Sequence, residues 1–248
     1  MRSLLLALAL LVATLPLHAA DPAPDHLRLF LLIGQSNMAG RGIVEPQDTE
    51  THPRIFMLTK DLQWTLAKDP LHFDKPNIAG VGLGSEFARV LAKADPQAKI
   101  GLIPAAFGGT SIAQWKPGGA LYKDAVARAR EAMKSGTLAG ILWHQGEADS
   151  APAKVEIYAD QFAAMIAQLR TDLDAPNVPL LVGELGRYEP KYQAFNEALP
   201  AVVAKVPHAA LVSSEGLVAN PDNVHFNASS LRKFGTRYAE AFLKISRP

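Results

Sequence analysis

The sequence predicts an α/β protein in which a parallel β-sheet is covered by helices on both faces. Short apolar runs of strand length recur along the chain, and stretches with apolar residues at helical spacing lie between them. Because strands that alternate with crossover helices pair in parallel, the helices lie on the faces of the sheet. Three of the runs end in small and polar residues, and those clusters are expected to meet at one edge of the sheet.

Seven segments are predicted to be strands. Residues 27–33 are apolar apart from Arg28 and stop at Gly34, as expected for a buried strand that ends in a turn. An irregular region with four prolines follows at 41–76, and a long excursion of this kind suits a loop region that shapes a substrate site. The other predicted strands are 54–58, 62–66, 99–105, 138–143, 178–182 and 209–212.

Five helices are predicted between and after these strands. The strongest is 153–173, where an apolar stripe from Tyr158 to Leu169 has helical period, and we interpret this stripe as core. The helix at 192–206 is expected to be interrupted near Pro200, since proline lacks the N–H group that a helix interior uses. The other predicted helices are 81–94, 121–133 and 231–245.

Charge and composition narrow the classes of partner. The 248 residues carry a net charge of +1, and beyond residue 20 the chain has 24 basic and 24 acidic residues. This balance argues against nucleic acid or an anionic membrane as the main partner and favours neutral substrates. The absence of cysteine excludes thiol catalysis and cysteine-based zinc sites, and no phosphate-binding glycine motif is present.

Residues 1–20 have the pattern of a secretory signal. Arg2 is followed by an apolar core at 4–15 and by small residues near position 20. A membrane anchor is the alternative, but the apolar stretch is short for a span and Pro16 interrupts its end. We expect a secreted or periplasmic protein in which 21–248 form a single domain that is free of the membrane after cleavage.

Ser36 is the candidate nucleophile. It follows the first predicted strand in the stretch 34–40, where a chain that turns into a helix has free N–H groups that bind anions. The alternative is a serine that merely caps the following helix, which is a common role. The stretch by itself does not decide between the two.

His225 is the candidate base and Asp222 its partner. An acidic residue three positions before a histidine, on a turn that follows Pro221, brings the carboxylate within reach of the imidazole. Asp222 as an ordinary turn residue is the alternative. The pair gains weight because it lies between the last strand and the last helix, at the expected edge of the sheet.

An oxyanion hole is predicted at the same edge. The backbone N–H of Ser36 is one candidate donor, and the N–H of Gly108 or Gly109 is a second, since glycine permits close approach of the backbone. The side-chain amide of Gln145 is a third candidate. Each of these groups has an ordinary turn or loop role as its alternative, but together they follow three strands of one sheet.

Four blocks of the sequence resemble a known family when they are taken together. They are Gly34-Gln35-Ser36-Asn37-Met38, Gly108-Gly109-Thr110-Ser111 with Trp115, Trp143-His144-Gln145-Gly146-Glu147, and Asp222-Asn223-Val224-His225-Phe226. As a set they resemble the carbohydrate acetylesterase branch of the SGNH-hydrolase superfamily, which includes sialate O-acetylesterase-like proteins and family 6 acetylxylan esterases. The resemblance implies a three-layer, flavodoxin-like α/β/α sandwich with a short parallel sheet. It also implies removal of O-acetyl groups from sugars without a metal or cofactor.

The resemblance also implies roles for individual residues. Ser36 would be the nucleophile, His225 the base and Asp222 its orienting acid, with Ser36, a glycine of the 108–109 pair and Gln145 around the oxyanion. Gln145 stands where many superfamily members have asparagine. Glu147 would orient the histidine or, as we prefer, support the nucleophile loop by a hydrogen bond. Two further groups complete the candidate site: Asn37 as a brace of the nucleophile turn, and Trp115 with His144 as substrate contacts.

Other functions are weighed against this one. An α/β-hydrolase motif is incomplete because Met38 replaces its second glycine, and His144 with Glu147 lacks the second histidine of a helical zinc motif. A lipase or thioesterase of the same superfamily and a non-catalytic sugar-binding module that uses Trp64, Trp115 and Trp143 remain alternatives. Among acetylated carbohydrates, xylan and related neutral chains rank above sialic acids, because no basic clamp is evident. The oligomeric state is left open.

Overall fold

The computed structural model describes residues 24–246, so the predicted signal at 1–20 lies outside the described residues. A seven-stranded sheet forms the centre of the described chain, in the order β3-β2-β4-β1-β5-β6-β7. Neighbouring strands are parallel except for β2 and β3, which are antiparallel at one edge. The strands are β1 Leu27–Gly34, β2 Ile55–Leu58, β3 Trp64–Leu66, β4 Ile100–Pro104, β5 Gly136–His144, β6 Leu180–Gly183 and β7 Ala209–Val212.

Helices cover both faces of this sheet, which confirms the predicted fold class. They are α1 Ser36–Ala39, α2 Gly84–Ala94, α3 Ala120–Ala132, α4 Pro152–Asp172, α5 Gln193–Ala204 and α6 Ala228–Ile245. The last begins earlier than expected because the Asn227 side chain caps it by accepting a hydrogen bond from the Ser230 N–H at 2.8 Å. Within residues 24–246, no helix is both long and apolar enough to cross a bilayer.

The expected interruption near Pro200 is wrong. Helix α5 continues through this proline, which is its eighth residue. The helix buries Leu199, Val202 and Val203 in the core, on both sides of the position where the proline withholds its hydrogen bond. Burial of apolar side chains on both sides of Pro200 therefore outweighs the missing backbone hydrogen bond.

Two apolar layers hold the helices to the sheet. On one face, the stripe of α4 is buried against side chains that include Trp143 and Phe195, which confirms that it is core. On the other face, Phe30 of β1 packs edge-to-face with Phe87 of α2 and with Phe242 of α6, with ring centroids 4.9 and 5.0 Å apart. The central strand β1 is thus covered on both sides, and its carboxyl end is held in a fixed position.

Asp69 is a buried carboxyl group that we expect to weaken the fold at neutral and alkaline pH. Burial raises its pKa from 3.8 to about 7. Since the unfolded chain ionises at the lower value, the stability contributed by the protonated form is complete below about pH 4 and is lost as the pH rises towards 7. Asp69→Asn is therefore expected to increase the free energy of unfolding at pH 8 by up to about 4 kcal/mol, since each pKa unit corresponds to 1.36 kcal/mol.

Asp48 provides a matched control of opposite sign. Burial alone would raise its pKa, but hydrogen bonds from Arg232 hold the pKa below the ordinary value. Asp48→Asn is expected to destabilise the protein at pH 8 and also at pH 4.5, because a carboxylate whose pKa is held below 3.8 is still ionised there. Urea unfolding of the three proteins at pH 4.5 and pH 8 measures both effects, and a destabilising Asp69→Asn at pH 8 would contradict the expectation.

Candidate active site

Ser36 lies at the carboxyl end of the central strand because of the glycine that precedes it. Gly34 has a φ of +131°, and a Cβ at this position would lie 2.1 Å from the carbonyl oxygen of His144 on the neighbouring strand. Only glycine permits this close approach and this backbone conformation together. The chain then enters the one-turn helix α1 with Ser36 as its first residue.

Ser36, His225 and Asp222 form a continuous hydrogen-bonded chain. The Ser36 hydroxyl lies 3.0 Å from His225 Nε2, and His225 Nδ1 lies 2.7 Å from Asp222 Oδ2. The other carboxylate oxygen of Asp222 accepts the N–H groups of Val224 and His225, each at 2.9 Å. Partial burial would raise the pKa of Asp222, but these hydrogen bonds hold it below its ordinary value. The carboxylate is therefore ionised at neutral pH, and because a carboxylate only accepts hydrogen bonds, His225 Nδ1 is the donor to it and Nε2 is the ring atom that faces the Ser36 hydroxyl.

Backbone contacts fix the loop that carries His225. The Asn220 N–H donates to the His225 carbonyl oxygen at 2.7 Å, and the Asn220 side chain donates to the Arg41 carbonyl oxygen at 3.0 Å. The Tyr188 hydroxyl donates to the Val224 carbonyl oxygen at 3.0 Å. The histidine loop is thus tied both to the segment that follows the nucleophile and to the region beyond β6.

The Asn37 side chain braces the nucleophile turn, as the sequence suggests. Its amide nitrogen donates to Glu147 Oε1 at 2.5 Å and to the Val224 carbonyl oxygen at 3.2 Å, and its amide oxygen accepts the Phe226 N–H at 3.0 Å. Glu147 therefore contacts the nucleophile loop through Asn37. Within residues 24–246, the hydrogen bonds of the His225 ring are to Asp222 and Ser36, and none is to Glu147.

The structure separates the two glycines predicted at the oxyanion hole. Gly108 lies against the nucleophile, since a Cβ on it would be 3.3 Å from Ser36 Cβ, but its N–H donates to Asp74 Oδ2 at 2.8 Å. Gly109 has a φ of +82°, and its N–H donates to no acceptor in the described part of the chain. Of the two glycines, Gly109 is therefore the one whose N–H is left without an acceptor among residues 24–246.

Gln145 differs from the prediction. Its amide nitrogen lies 2.6 Å from Asp149 Oδ2, 3.0 Å from the Thr110 carbonyl oxygen and 3.3 Å from Gln35 Oε1. Two N–H groups with three acceptors leave none free for a substrate oxyanion. Gln145 instead connects the loops that follow β1, β4 and β5.

The predicted substrate contacts of Trp115 and His144 are wrong, because both side chains are buried. Trp115 is 1% exposed, and its indole donates to the Thr110 hydroxyl at 3.0 Å. His144 is 0% exposed, and its Nε2 lies 3.0 Å from the Glu184 carbonyl oxygen. Trp143 is equally buried, so Trp64 is the member of the proposed sugar-binding trio that retains partial exposure.

Metal ligation is not evident at this site. His144 Nδ1 and Glu147 Oε1 are 3.7 Å apart, in a buried pair. Within residues 24–246, no three histidine or carboxylate side chains are grouped so as to hold a metal ion.

Comparison with known proteins decides the family. A family model described as carbohydrate esterase, sialic acid-specific acetylesterase, matches residues 26–244. The chain belongs to this family. The resemblance to the carbohydrate acetylesterase branch and the fold that it implied are thereby confirmed.

Individual proteins show how far the similarity of this carbohydrate esterase family member extends. A probable carbohydrate esterase of Arabidopsis thaliana, At4g34215, is 33% identical over 246 residues, which cover 90% of this chain and 92% of the plant protein. Its 1.6 Å X-ray structure has a TM-score of 0.82 at 31% identity and covers 89% of this chain and 99% of that one. Two lower similarities concern the fold alone. The structure of NanS has a TM-score of 0.71 at 20% identity, and the match covers 90% of this chain and 98% of NanS. The structure of the carbohydrate acetylesterase XAC1771 of Xanthomonas citri has a TM-score of 0.67 at 21% identity, and the match covers 88% of this chain and 56% of XAC1771.

In this member of the carbohydrate esterase family, Arg41 and Asp74 are site residues that the sequence analysis missed. Asp74 Oδ2 accepts from Arg41 Nη2 at 2.7 Å and from the Gly108 N–H at 2.8 Å, and both side chains are buried. Burial would raise the pKa of Asp74, but the Arg41 and Gly108 hydrogen bonds hold it below its ordinary value. The pair fixes the Gly108 loop against Ser36. No spacing rule joins two residues in an irregular region, so the sequence carried no signal for them.

Proposed function

We propose that the protein is a serine esterase that removes O-linked acetyl groups from carbohydrates through an acyl-enzyme. The observation that carries the proposal is the hydrogen-bonded chain from Ser36 through His225 to Asp222, at 3.0 and 2.7 Å. Membership of a carbohydrate esterase family supplies the class of substrate. A serine with a base and an orienting acid is the arrangement that nucleophilic attack on an ester requires.

Acylation begins at the Ser36 oxygen. The oxygen forms a bond to the acetyl carbonyl carbon while its proton passes to His225 Nε2, and the carbonyl electron pair moves to the substrate oxygen. Collapse of this tetrahedral intermediate breaks the bond to the sugar oxygen, which takes the proton from His225. The Asp222 carboxylate stabilises the imidazolium that exists between the two proton transfers.

Deacylation repeats these steps with water as the nucleophile. His225 accepts a proton from water as the water oxygen bonds to the acetyl carbon, and then returns the proton to the Ser36 oxygen as acetate leaves. In both halves the N–H groups of Ser36 and Gly109 are the proposed donors to the negatively charged oxygen. They are backbone groups in place before the charge develops, so they need no reorganisation during the reaction.

The space around the nucleophile suits a small acyl group. Ser36 is 6% exposed, and Gly108 lies close against its Cβ, held there by Asp74 and Arg41. A long acyl chain would need room where these groups are packed. Acetyl esters are therefore favoured over the long-chain esters that a lipase or thioesterase prefers.

A neutral acetylated polysaccharide such as acetylxylan is the first candidate substrate, because the chain has balanced charge. An acetylated acidic sugar, including sialic acid, is the second, and the position of Lys75 favours it. Lys75 is exposed, and its ammonium lies 3.8 Å from the point that a Cβ on Gly109 would occupy. A substrate carboxylate next to the oxyanion hole would be attracted by this charge.

Export and domain organisation complete the proposal. Residues 1–20 are proposed to be a cleaved signal, and 21–248 a single catalytic domain that is secreted or periplasmic. Their support is the sequence pattern of a basic start, an apolar core and small residues before position 21.

Acetate release is the measurement that tests the function. Purified protein is mixed with acetylxylan, acetylated glucomannan and O-acetylated sialic acids, and acetate is quantified with the Ser36→Ala protein as the blank. We expect release from at least one of these carbohydrates at a rate well above the blank. A p-nitrophenyl ester series from acetyl to decanoyl is expected to show a decline in kcat/KM beyond short chains.

The same assay separates the alternatives. Preference for decanoyl over acetyl esters would favour a lipase, and a wild-type rate equal to the Ser36→Ala rate on every ester would exclude the esterase and leave a sugar-binding module. Between the two carbohydrate classes, Lys75→Gln is the discriminating variant. It is expected to raise KM for O-acetylated sialic acids at low salt and to leave KM for acetylxylan unchanged.

A further inference from the structure

Asn37 contacts the backbone on both sides of His225. Its amide nitrogen donates to the carbonyl oxygen of Val224, and its amide oxygen accepts the N–H of Phe226, at 3.2 and 3.0 Å. The side chain is 1% exposed, so water does not compete for these hydrogen bonds. Because Asn37 directly follows Ser36, the nucleophile and the base are joined through one residue, although they are 189 positions apart in the sequence.

The orientation of the Asn37 amide is itself fixed. Phe226 presents a donor and Val224 an acceptor, so a flipped amide would face each group with the wrong atom. Glu147 Oε1 accepts the same amide nitrogen at 2.5 Å, and a flipped Asn37 amide would place its oxygen against this acceptor. Glu147 therefore selects the orientation that the histidine loop requires.

Glu147 lies between Asn37, to which it is hydrogen-bonded, and His144. Its Oε1 is 3.7 Å from His144 Nδ1, and both side chains are buried, at 5% and 0% exposure. His144 is anchored in turn by its Nε2, which donates to the Glu184 carbonyl oxygen at 3.0 Å. The contacts of Glu184, His144, Glu147 and Asn37 thus run from the end of β6 through β5 to the nucleophile turn. Glu147 therefore lies against a part of the sheet that is fixed in position.

We propose that Asn37 and Glu147 are positioning residues, and that Glu147 orients the Asn37 amide, which holds the His225 backbone against Ser36. The inference rests on the proposed esterase function. The role differs from that of Asp222, which contacts the imidazole ring and selects its tautomer, because Asn37 contacts the backbone on either side of the ring. Glu147 thus acts on His225 although it makes no hydrogen bond to its ring.

Exchange of donor and acceptor tests the proposal. Asn37→Asp places a carboxylate oxygen against Glu147 and against the Val224 carbonyl oxygen, so repulsion displaces the histidine loop. We expect kcat for p-nitrophenyl acetate to fall by about 10²-fold with KM within about threefold, because misplacement by about 1 Å has effects of this size. Glu147→Gln alone is expected to cost only a few-fold, because the glutamine oxygen still accepts from Asn37.

The double variant Asn37→Asp with Glu147→Gln restores a donor opposite an acceptor. It is expected to recover about tenfold of the kcat that Asn37→Asp loses, a coupling within the range for directly contacting residues. If Asn37→Asp lowered kcat only by disturbing the fold, its loss of kcat would add to that of Glu147→Gln, and the double variant would recover no activity. Thermal unfolding of each variant, followed by circular dichroism, shows that the compared proteins are folded.

Asn196→Asp is the matched control. Asn196 makes the same two-way contact with backbone, accepting the Leu185 N–H at 2.8 Å and donating to the Leu185 carbonyl oxygen at 3.0 Å, but it touches neither Ser36 nor the His225 loop. The kcat of the Asn196→Asp protein is expected to stay within about threefold of the wild-type value. If Asn37→Asp does not fold, Glu147→Leu takes its place, with an expected tenfold loss of kcat at unchanged KM.

Three results would overturn the inference while the esterase function stands. The first is a wild-type kcat in Asn37→Asp or, if that variant does not fold, in Glu147→Leu. The second is a double variant that is no faster than Asn37→Asp. An equal loss in Asn196→Asp would also overturn it, because the effect would then not depend on the histidine loop. Wild-type protein that hydrolyses no ester at all would instead contradict the proposed function.

Discussion

Replacing Ser36 with alanine is expected to lower kcat for acetyl ester hydrolysis by about four to six orders of magnitude. The substitution removes the attacking oxygen, and the hydrogen bonds of the oxyanion hole alone supply only the remaining rate. Since, within residues 24–246, the hydroxyl of Ser36 is hydrogen-bonded to His225 alone, the fold is expected to be unaffected. Steady-state hydrolysis of p-nitrophenyl acetate gives kcat, and the burst of nitrophenol in the first turnover reports the acyl-enzyme.

Ser150→Ala is the control for this prediction. Ser150 lies at the same edge of the sheet, and its hydroxyl donates to the Glu147 carbonyl oxygen at 3.2 Å, without a hydrogen bond to His225. The Ser150→Ala protein is expected to retain kcat within a few-fold, because the partly buried Ser150 hydroxyl bonds only a loop carbonyl oxygen and does not contact Ser36 or His225. A Ser36→Ala protein that keeps more than about one hundredth of the wild-type kcat would show that another group attacks the ester.

The centre of the sheet was predictable because its strands are short, buried on both faces and therefore almost wholly apolar. Residues 27–33 show this most clearly, since the only polar residue among them, Arg28, lies at the amino end, where β1 reaches the surface. Sheet order was not predictable, because the central position of β1 depends on pairings with β4 and β5 that are far away in the sequence. The antiparallel edge strand β3 depends likewise on its pairing with β2.

The hydrogen-bonded arrangement of Ser36, His225 and Asp222 was predictable to the extent that it is local. Asp222 and His225 are three residues apart, and the hydrogen bonds that join them lie within one turn. Their meeting with Ser36 followed only from the rule that the carboxyl ends of parallel strands share an edge. The role of Asn37 as a brace of the nucleophile turn could be predicted from its position after Ser36. Its hydrogen bonds to Val224 and Phe226 could not, because they depend on the folded position of the histidine loop.

Trp115 and His144 show why a polar or aromatic residue near this edge is not necessarily part of the site. Side chains alternate between the two faces of a strand, so Trp143 and His144 at the end of β5 enter opposite cores. Trp143 packs on Trp115 in one core, and His144 packs between Phe226 and Phe234 in the other. The sequence places such residues at the edge of the sheet but does not state whether they face the substrate or the interior.

Asp222→Asn is expected to lower kcat by about 10³–10⁴-fold, and Glu147→Gln by far less. The asparagine oxygen can still accept the N–H groups of Val224 and His225, so the loop is expected to persist. Its NH₂ group, however, would face His225 Nδ1 as a donor. The ring proton would then move to Nε2, which faces Ser36 Oγ at 3.0 Å and could no longer accept the serine proton.

The comparison of the two variants identifies the acid that acts on the ring. Both proteins are assayed with p-nitrophenyl acetate between pH 5 and pH 9, with KM and kcat determined separately and folding checked by circular dichroism. Asp222→Asn is expected to change kcat with little change in KM, because the damaged step is proton transfer and not binding. A larger loss of kcat in Glu147→Gln than in Asp222→Asn would reassign the orienting acid to Glu147. A wild-type rate that stays flat between pH 5 and pH 9 would contradict a histidine base.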